Sequence, residues 1–403
     1  MPEYTGIMMS FLDNDMYKFT MQQIVLHRFP SVEVEYELIV RSPGLAKNLG
    51  EYVAEIEYEI NKLETLRMTQ EEADWFRLNR VISDDYIDFL ETFKYKPRKY
   101  VMVSIDKGDI KINIRGPWVR TILFEIPILA ILSDFTTKMD TTHDENWKTK
   151  SIIRTRKKTE MINNHPLGKL FKVADFGTRR RYLAENQDLM VRIFNEELNV
   201  LPDGNNQFVG TSNVHLAKKY GIKAIGTQAH EYLQAFQVLS PLYSHLTTAL
   251  EYWNTEYKGD LGIALTDSIT TDAFLKVFNM AFAKQFDGVR HDSGCPFEFG
   301  EKIINHYESL GLDPKEKTIV FSDGLNIVKA FDLLERFNGR IKVSFGIGTF
   351  LSNDIPGHKA PSIVIKMVRC QGFPVAKISD TPGKSVSASN KYMIFLKEAF
   401  GVK

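Results

Sequence analysis

The chain has 403 residues, with 51 Lys plus Arg balanced by 51 Asp plus Glu, so no net field draws it to nucleic acid or to an anionic membrane. Its length exceeds what one hydrophobic core usually supports and predicts two domains, with an ordinary globular composition of 43% hydrophobic and 25% charged residues. Two cysteines, Cys295 and Cys370, give no metal-ligand spacing, no apolar run has the length of a membrane span, and the first residues are acidic where a secretory leader would be basic, all of which predicts a cytoplasmic protein.

In chain order, Asp15 to Phe29 reads as an amphipathic helix, Val32 to Val40 alternates as a strand, and Glu51 to Leu63 returns to helical spacing. Two more strands are expected at Tyr100 to Ser104 and Ile110 to Ile114, before a helical apolar stretch from Ile122 to Leu132. From about residue 170 short buried-type runs each end in a polar or glycine turn and lead into a helix. They are Phe171 to Phe176, Gln207 to Gly210, Lys223 to Gly226, Gly262 to Thr266, Gly288 to His291, Thr318 to Ser322 and Lys342 to Phe345. This rhythm predicts an α/β fold, an irregular (β/α) barrel over residues 146–350. The strands expected at Ser362 to Arg369 and Val375 to Ile378 rejoin the first part, giving a smaller discontinuous α+β domain built from both chain ends, 1–145 with 351–403.

Barrel enzymes gather their chemistry at the C-terminal strand ends. Here those ends supply Asp175 to Arg179, then Gly210 with Thr211 and Ser212, Gly226 with His230, and Asp267. Arg290 with Asp292, Asp323 with Gly324, and Gly348 with Thr349 complete the series. Glycines expose backbone N–H groups to phosphate, arginines bind it bidentately, and carboxylates hold a cation or ribose hydroxyls, so a phosphorylated sugar is the expected substrate class. Strand-end Asp and Gly are also ordinary turn residues, His230 could cap or pack a helix, and Arg179 to Arg181 could be a solvated face. Tyr17 and Phe176 read equally well as packing. Spacing therefore reaches a barrel enzyme for a phosphate-bearing substrate and stops short of the reaction.

The strings D-N-D-M-Y-K-F-T-M from Asp13, D-F-G-T-R-R-R from Asp175, G-T-S-N from Gly210 and G-T-Q-A-H-E from Gly226 resemble those of the nicotinate phosphoribosyltransferases. So do A-L-T-D from Ala264, V-R-H-D-S-G from Val289, F-S-D-G-L-N from Phe321 and F-G-I-G-T from Phe345, so the resemblance spans nearly the whole chain. It implies a type II phosphoribosyltransferase fold and a homodimer with shared active sites. The substrates it implies are nicotinate and phosphoribosyl pyrophosphate, with Mg²⁺ and with ATP as co-substrate. Nicotinate's ring would stack between Phe176 and a Tyr17 from the partner subunit. Arg179 and Arg290 would contact anions or the ring substituent, with Thr211 beside them. Gly324, Gly348 and Thr349 would cradle the sugar phosphate, and Arg41 and Lys384 would face pyrophosphate.

The pyridine nitrogen needs no base, which frees His230 for the role the resemblance implies, accepting a phosphoryl group from ATP. Asp267, ending the neighbouring strand, is expected to orient it, and Asp292 to sit beside the ribose. The family shows an acidic residue where this chain has Cys295, which leaves the metal ligands unassigned. Ser212 stands where nicotinamide-specific relatives carry aspartate, and a hydroxyl suits an anionic ring substituent better. The rival readings are a nicotinamide-using or quinolinate-using enzyme, or a catalytically silent nucleotide-binding relative. A quinolinate enzyme would need further cations and no ATP, and decay would have eroded His230, Asp267, Arg290 and Asp292.

Overall fold

The computed structural model describes residues 6–139, 146–199, 206–381 and 383–402. The domain boundary expected at residue 145 lies outside the described residues.

The first helix, Met16–Arg28, follows Asp15 in an extended N-cap conformation and closes on His27 and Arg28, cations placed against the negative end of the helix dipole. Amphipathic spacing predicts a solvated face, yet Lys18, Gln22 and Gln23 are buried. Each polar tip is satisfied: Lys18 pairs with Glu125 at 2.6 Å, and the Gln22 amide donates to the Val119 carbonyl at 2.8 Å. The Ser83 N–H donates to the Gln23 side chain at 2.9 Å. A periodicity count cannot foresee this, because satisfied polar side chains bury as readily as apolar ones.

Strands occur at Glu33–Val40, Val101–Asp106, Asp109–Pro117 and Ile363–Cys370, with helices at Val53–Lys62 and Glu125–Met139. Of the seven runs expected as barrel strands, six are strands: Val173–Asp175, Phe208–Thr211, Ile263–Leu265, Gly288–His291, Thr318–Phe321 and Lys342–Ile347. The run from Lys223 to Gly226 is not. It holds a single parallel bridge from Ala224 to Thr211, because its residues are half-buried or exposed and lack an apolar face to press into a sheet.

The chain divides into two compact units. One comprises Met1–Ser31, Tyr36–Gly226 and Ile347–Ile365. It holds the antiparallel pair Val101–Asp106 with Asp109–Pro117, in register from Val101 opposite Ile114 to Asp106 opposite Asp109. It also holds the parallel pair Val173–Asp175 with Phe208–Thr211. Gly210 in that pair has φ +138°, and a Cβ there would lie 2.1 Å from the Lys223 carbonyl oxygen, so only glycine fits.

The other unit comprises Val32–Glu35, Thr227–Gly346 and Lys366–Lys403. Its four parallel strands pair Leu265 with Arg290, Arg290 with Val320, and Val320 with Ser344. Phe321 stacks on Phe345 with ring centres 6.3 Å apart, both fully buried. A second core joins Ile269, Ala273, Ala376, Ile378 and Leu396, and the helix Asn390–Phe400 packs on it through Tyr392 and Met393. No described helix is long and apolar enough to cross a membrane.

Candidate active site

The helix His230–Leu239 starts at His230, which puts that imidazole in the first turn, facing the ends of the parallel strands of its unit. Its Nε2 lies 2.8 Å from Asp267 Oδ1 and 3.7 Å from Asp292 Oδ2. Asp267 follows the strand Ile263–Leu265 and Asp292 follows Gly288–His291, and these strands are parallel neighbours. The second oxygen of Asp267 accepts the Lys377 ammonium at 2.7 Å and the Ser293 hydroxyl at 2.5 Å. Asp292 Oδ1 accepts from Ser322 at 3.1 Å, and its Oδ2 lies 3.9 Å from Lys377.

Burial, seconded by the positive charge of Lys377, pushes the His230 imidazole down to about 4, so it is neutral at pH 7. Burial alone would raise Asp267, but His230 and Lys377 outweigh it and hold the carboxyl well below its ordinary range. Burial likewise opposes ionisation of Asp292, and the Arg290 guanidinium, aided by His230 and Lys377, brings it to about 2. A neutral imidazole whose Nε2–H points at a fixed carboxylate keeps its lone pair on Nδ1, the form that attacks an electrophile.

In the unit that contains Tyr17, a second polar cluster surrounds the end of Val173–Asp175. Asp175 accepts from Thr211 Oγ1 and Gln187 Nε2, both at 2.8 Å, and from the Gly177 N–H at 2.9 Å. Burial nevertheless raises it to about 6. Thr211 spends its hydroxyl on this carboxylate, and Ser212 donates its own to Asp15 Oδ1 at 2.7 Å. Arg181 and Asp13 form a fully buried two-bond pair at 2.7 and 2.8 Å, and Asn213 adds a third bond to Asp13. Arg179 is partly exposed and lies 3.7 Å from Glu125.

Tyr17 lies in the first turn of Met16–Arg28 and Phe176 directly after its strand, both half-buried. Gly348 approaches that loop so closely that a Cβ would sit 3.0 Å from the Phe176 carbonyl oxygen, and Thr349 follows it at a helix start. In the other unit, Arg290 has its Nε buried with no hydrogen-bond partner among the described residues, and Gly324 is exposed. Lys384 there binds both oxygens of Asp323 at 2.9 Å. Arg41 is exposed, and its backbone N–H donates to the Ser362 carbonyl. Cys295 is exposed at the N-cap of the helix Pro296–Ser309.

Reading strand ends passes over Lys377, Asp13, Asp15 and Ser293. Lys377 sits on a two-residue strand far along the chain from Asp267, and no local pattern joins them. Asp13 and Asp15 were visible only inside the string D-N-D-M-Y-K.

His230, Asp267 and Asp292 have candidate ligand atoms within 4.8 Å of one another. The Lys377 ammonium lies 2.7 Å from Asp267 and 3.9 Å from Asp292 and offsets one of the two carboxylate charges.

Parallel strands with a buried His–Asp pair and a partner carboxylate at their ends are the frame of an α/β enzyme. The particular family follows from the whole chain. The nicotinate phosphoribosyltransferase (NAPRTase) family model matches residues 171–403, and the model of that family's N-terminal domain matches residues 12–133. The nicotinate phosphoribosyltransferase of Xanthomonas euvesicatoria is 47% identical over 401 residues, covering 98% of each chain. That of Burkholderia mallei is 46% identical over 402 residues, covering 98% of this chain and 97% of its own. The crystal structure of nicotinate phosphoribosyltransferase from Vibrio cholerae superposes with a TM-score of 0.91 at 37% identity, over 99% of this chain and 94% of the other. The chain belongs to the nicotinate phosphoribosyltransferase family.

Proposed function

We propose that the chain transfers the phosphoribosyl group of phosphoribosyl pyrophosphate to the ring nitrogen of nicotinate, releasing pyrophosphate, and that ATP phosphorylates His230 during the cycle. The observation that carries this reading is the buried His230–Asp267 bond at 2.8 Å in a chain of this family. Nicotinate's nitrogen has a free lone pair and needs no base, so a neutral histidine held by a carboxylate is free to act as nucleophile. Its Nδ1 attacks the γ-phosphorus of ATP. The nitrogen–phosphorus bond forms as the bond to the β,γ-bridging oxygen breaks, the electron pair leaves with ADP, and the Nε2 proton stays on the ring against Asp267.

In the same reading Tyr17 and Phe176 sandwich the pyridine ring, and Arg179 and Arg290 hold anionic groups. Arg290's Nε, buried without an acceptor among the described residues, supports this, since such a guanidinium nitrogen is costly until a ligand supplies one. Gly324, Gly348 and Thr349 offer N–H groups to the 5-phosphate, and Asp292 faces the positive charge that grows on the ribose carbon. Arg41 and Lys384 serve pyrophosphate, Lys384 after parting from Asp323. Thr211 acts through Asp175 and Ser212 through Asp15. Mg²⁺ belongs to this reading as part of the pyrophosphate substrate. The protein would work in the cytoplasm as a homodimer.

The test is incubation of purified protein with labelled nicotinate and phosphoribosyl pyrophosphate, with Mg²⁺, with and without ATP. Nicotinate mononucleotide should form, faster with ATP, and nicotinamide or quinolinate should give at most a trace. ATP labelled at the γ-phosphate should leave acid-labile label on the protein that His230→Asn abolishes. Label persisting on that variant at wild-type stoichiometry would place the phosphoryl group elsewhere.

A further inference from the structure

Lys377 is a buried lysine that the reaction scheme above leaves without a task. Its Nζ lies 2.7 Å from Asp267 Oδ2, and the other oxygen of that carboxylate holds His230 Nε2 at 2.8 Å. One carboxylate thus bridges an ammonium and the imidazole. We propose that Lys377 is a positioning residue for phosphoryl transfer at His230, fixing Asp267 in the rotamer that aims the imidazole and offsetting the charge of the phosphoryl group as it arrives. The proposal rests on the phosphohistidine reading.

The surrounding backbone holds Lys377 in register with His230. Gln237, on the helix that begins with His230, clamps Ala376 by two bonds, donating to its carbonyl at 2.7 Å and accepting its N–H at 2.9 Å. On the other flank the Ile378 N–H donates to the Ser268 carbonyl at 2.9 Å, and the Thr270 N–H donates to the Ile378 carbonyl at 3.0 Å. Thr270 takes φ +64° to make that bond, a conformation costly for a β-branched residue and tolerated where the surroundings impose it. Two residues further on, Asp380 accepts from Thr271 Oγ1 at 2.7 Å. The segment bearing Lys377 is therefore tied both to the helix of His230 and to the loop of Asp267.

Charge explains why a cation is needed. Asp267 and Asp292 are both ionised, and phosphoryl transfer to Nδ1 adds net negative charge to a buried space. Without Lys377 that step would gather like charges where water screens them poorly. With it, one carboxylate is neutralised before ATP binds.

The experiment compares Lys377→Ala and Lys377→Met with wild type in single-turnover labelling by γ-labelled ATP, across pH, with circular dichroism and thermal melts on each protein. Asp267, Asp292, Lys377 and Lys366 are among the charged groups acting on His230. Removing Lys377 takes away a neighbouring positive charge, so the acid limb of the labelling rate should move to higher pH. The rate should fall by about 100-fold or more, the scale of losing a buried charge pair, and ethylammonium should restore part of it to Lys377→Ala in a saturable way. Wild-type rate and pH profile in either folded variant would overturn the proposal. So would a slower rate with an unmoved acid limb and no amine rescue, the signature of a merely structural lysine. Lys377→Met keeps the apolar stem, so it decides the matter if Lys377→Ala fails to fold. Absence of His230 labelling in wild type would instead remove the phosphohistidine reading, and this proposal with it.

Discussion

Ser212 shows how one hydrogen bond redirects a specificity argument. From the sequence, a serine where nicotinamide-specific relatives carry aspartate points to the ring substituent, yet its hydroxyl donates to Asp15 at 2.7 Å. A hydroxyl that gives its proton to a carboxylate can only accept from other groups. Burial raises the Asp15 carboxyl, with Ser212, Thr178 and Arg179 opposing that rise. If Ser212 serves nicotinate, it does so once Asp15 is protonated or by orienting its neighbours. Ser212→Ala should therefore cost about 1 to 3 kcal/mol of stability, because Asp15 loses a donor in a buried place, and denaturant unfolding measures it. Ser212→Asp should cost more, since it sets a second carboxylate against Asp15, and it should lower kcat/KM for nicotinate by about 100-fold, the scale of a like-charge contact of several kcal/mol. A Ser212→Asp enzyme that keeps wild-type efficiency and preference for nicotinate over nicotinamide would show that residue 212 does not face the ring substituent.

At the scale of elements, the helix His245–Tyr257 begins on a histidine that the chemistry does not use. His245 is fully buried, its ring lies 5.5 Å from that of Phe400, its Nδ1 donates to the Leu242 carbonyl at 2.6 Å, and its Nε2 has no partner among the described residues. Burial lowers it to about 4 from 6.5, against the pull of that backbone bond. Because the folded value is depressed, the stability it contributes is fully present above pH 6.5 and is lost as pH falls through 4. The shift corresponds to about 3 kcal/mol at most. His245→Leu should keep a pH-independent offset and flatten the loss of stability between pH 6.5 and 4 by up to that amount, as urea midpoints across pH would record. Equal slopes for both proteins would mean that His245 does not titrate on unfolding. The elements themselves were largely legible, since six barrel-type runs are short, apolar and closed by turn residues, and burial on both faces leaves just that mark. Lys223 to Gly226 has the turn but not the apolar face. The bonds that build the site were not legible, because Arg181 meets Asp13 across 168 residues and Asp267 meets Lys377 through a two-residue strand. Pairings of that separation follow from the fold and leave no local period.

At the scale of the whole molecule, the proposed shared-site dimer is tested through the two residues it would draw from different chains, Tyr17 and His230. Both are required by the proposed reaction, and one subunit or two could supply them. Co-expression of differently tagged Tyr17→Ala and His230→Asn chains, each lacking the ATP-stimulated activity alone, separates these arrangements when that activity is measured. If Tyr17 acts on its partner's site, each mixed dimer contains one intact site and one doubly defective site. Random assortment makes about half the dimers mixed, so about a quarter of wild-type activity should return. Dimers purified through both tags should carry about half. If Tyr17 serves its own subunit, every site in a mixed dimer lacks one of the two residues, and doubly tagged dimers should show no more activity than the parents. Active-site titration on that doubly tagged fraction, by counting nicotinate mononucleotide formed per chain in the first turnover, reads the fraction of intact sites and is insensitive to a variant that merely slows later steps.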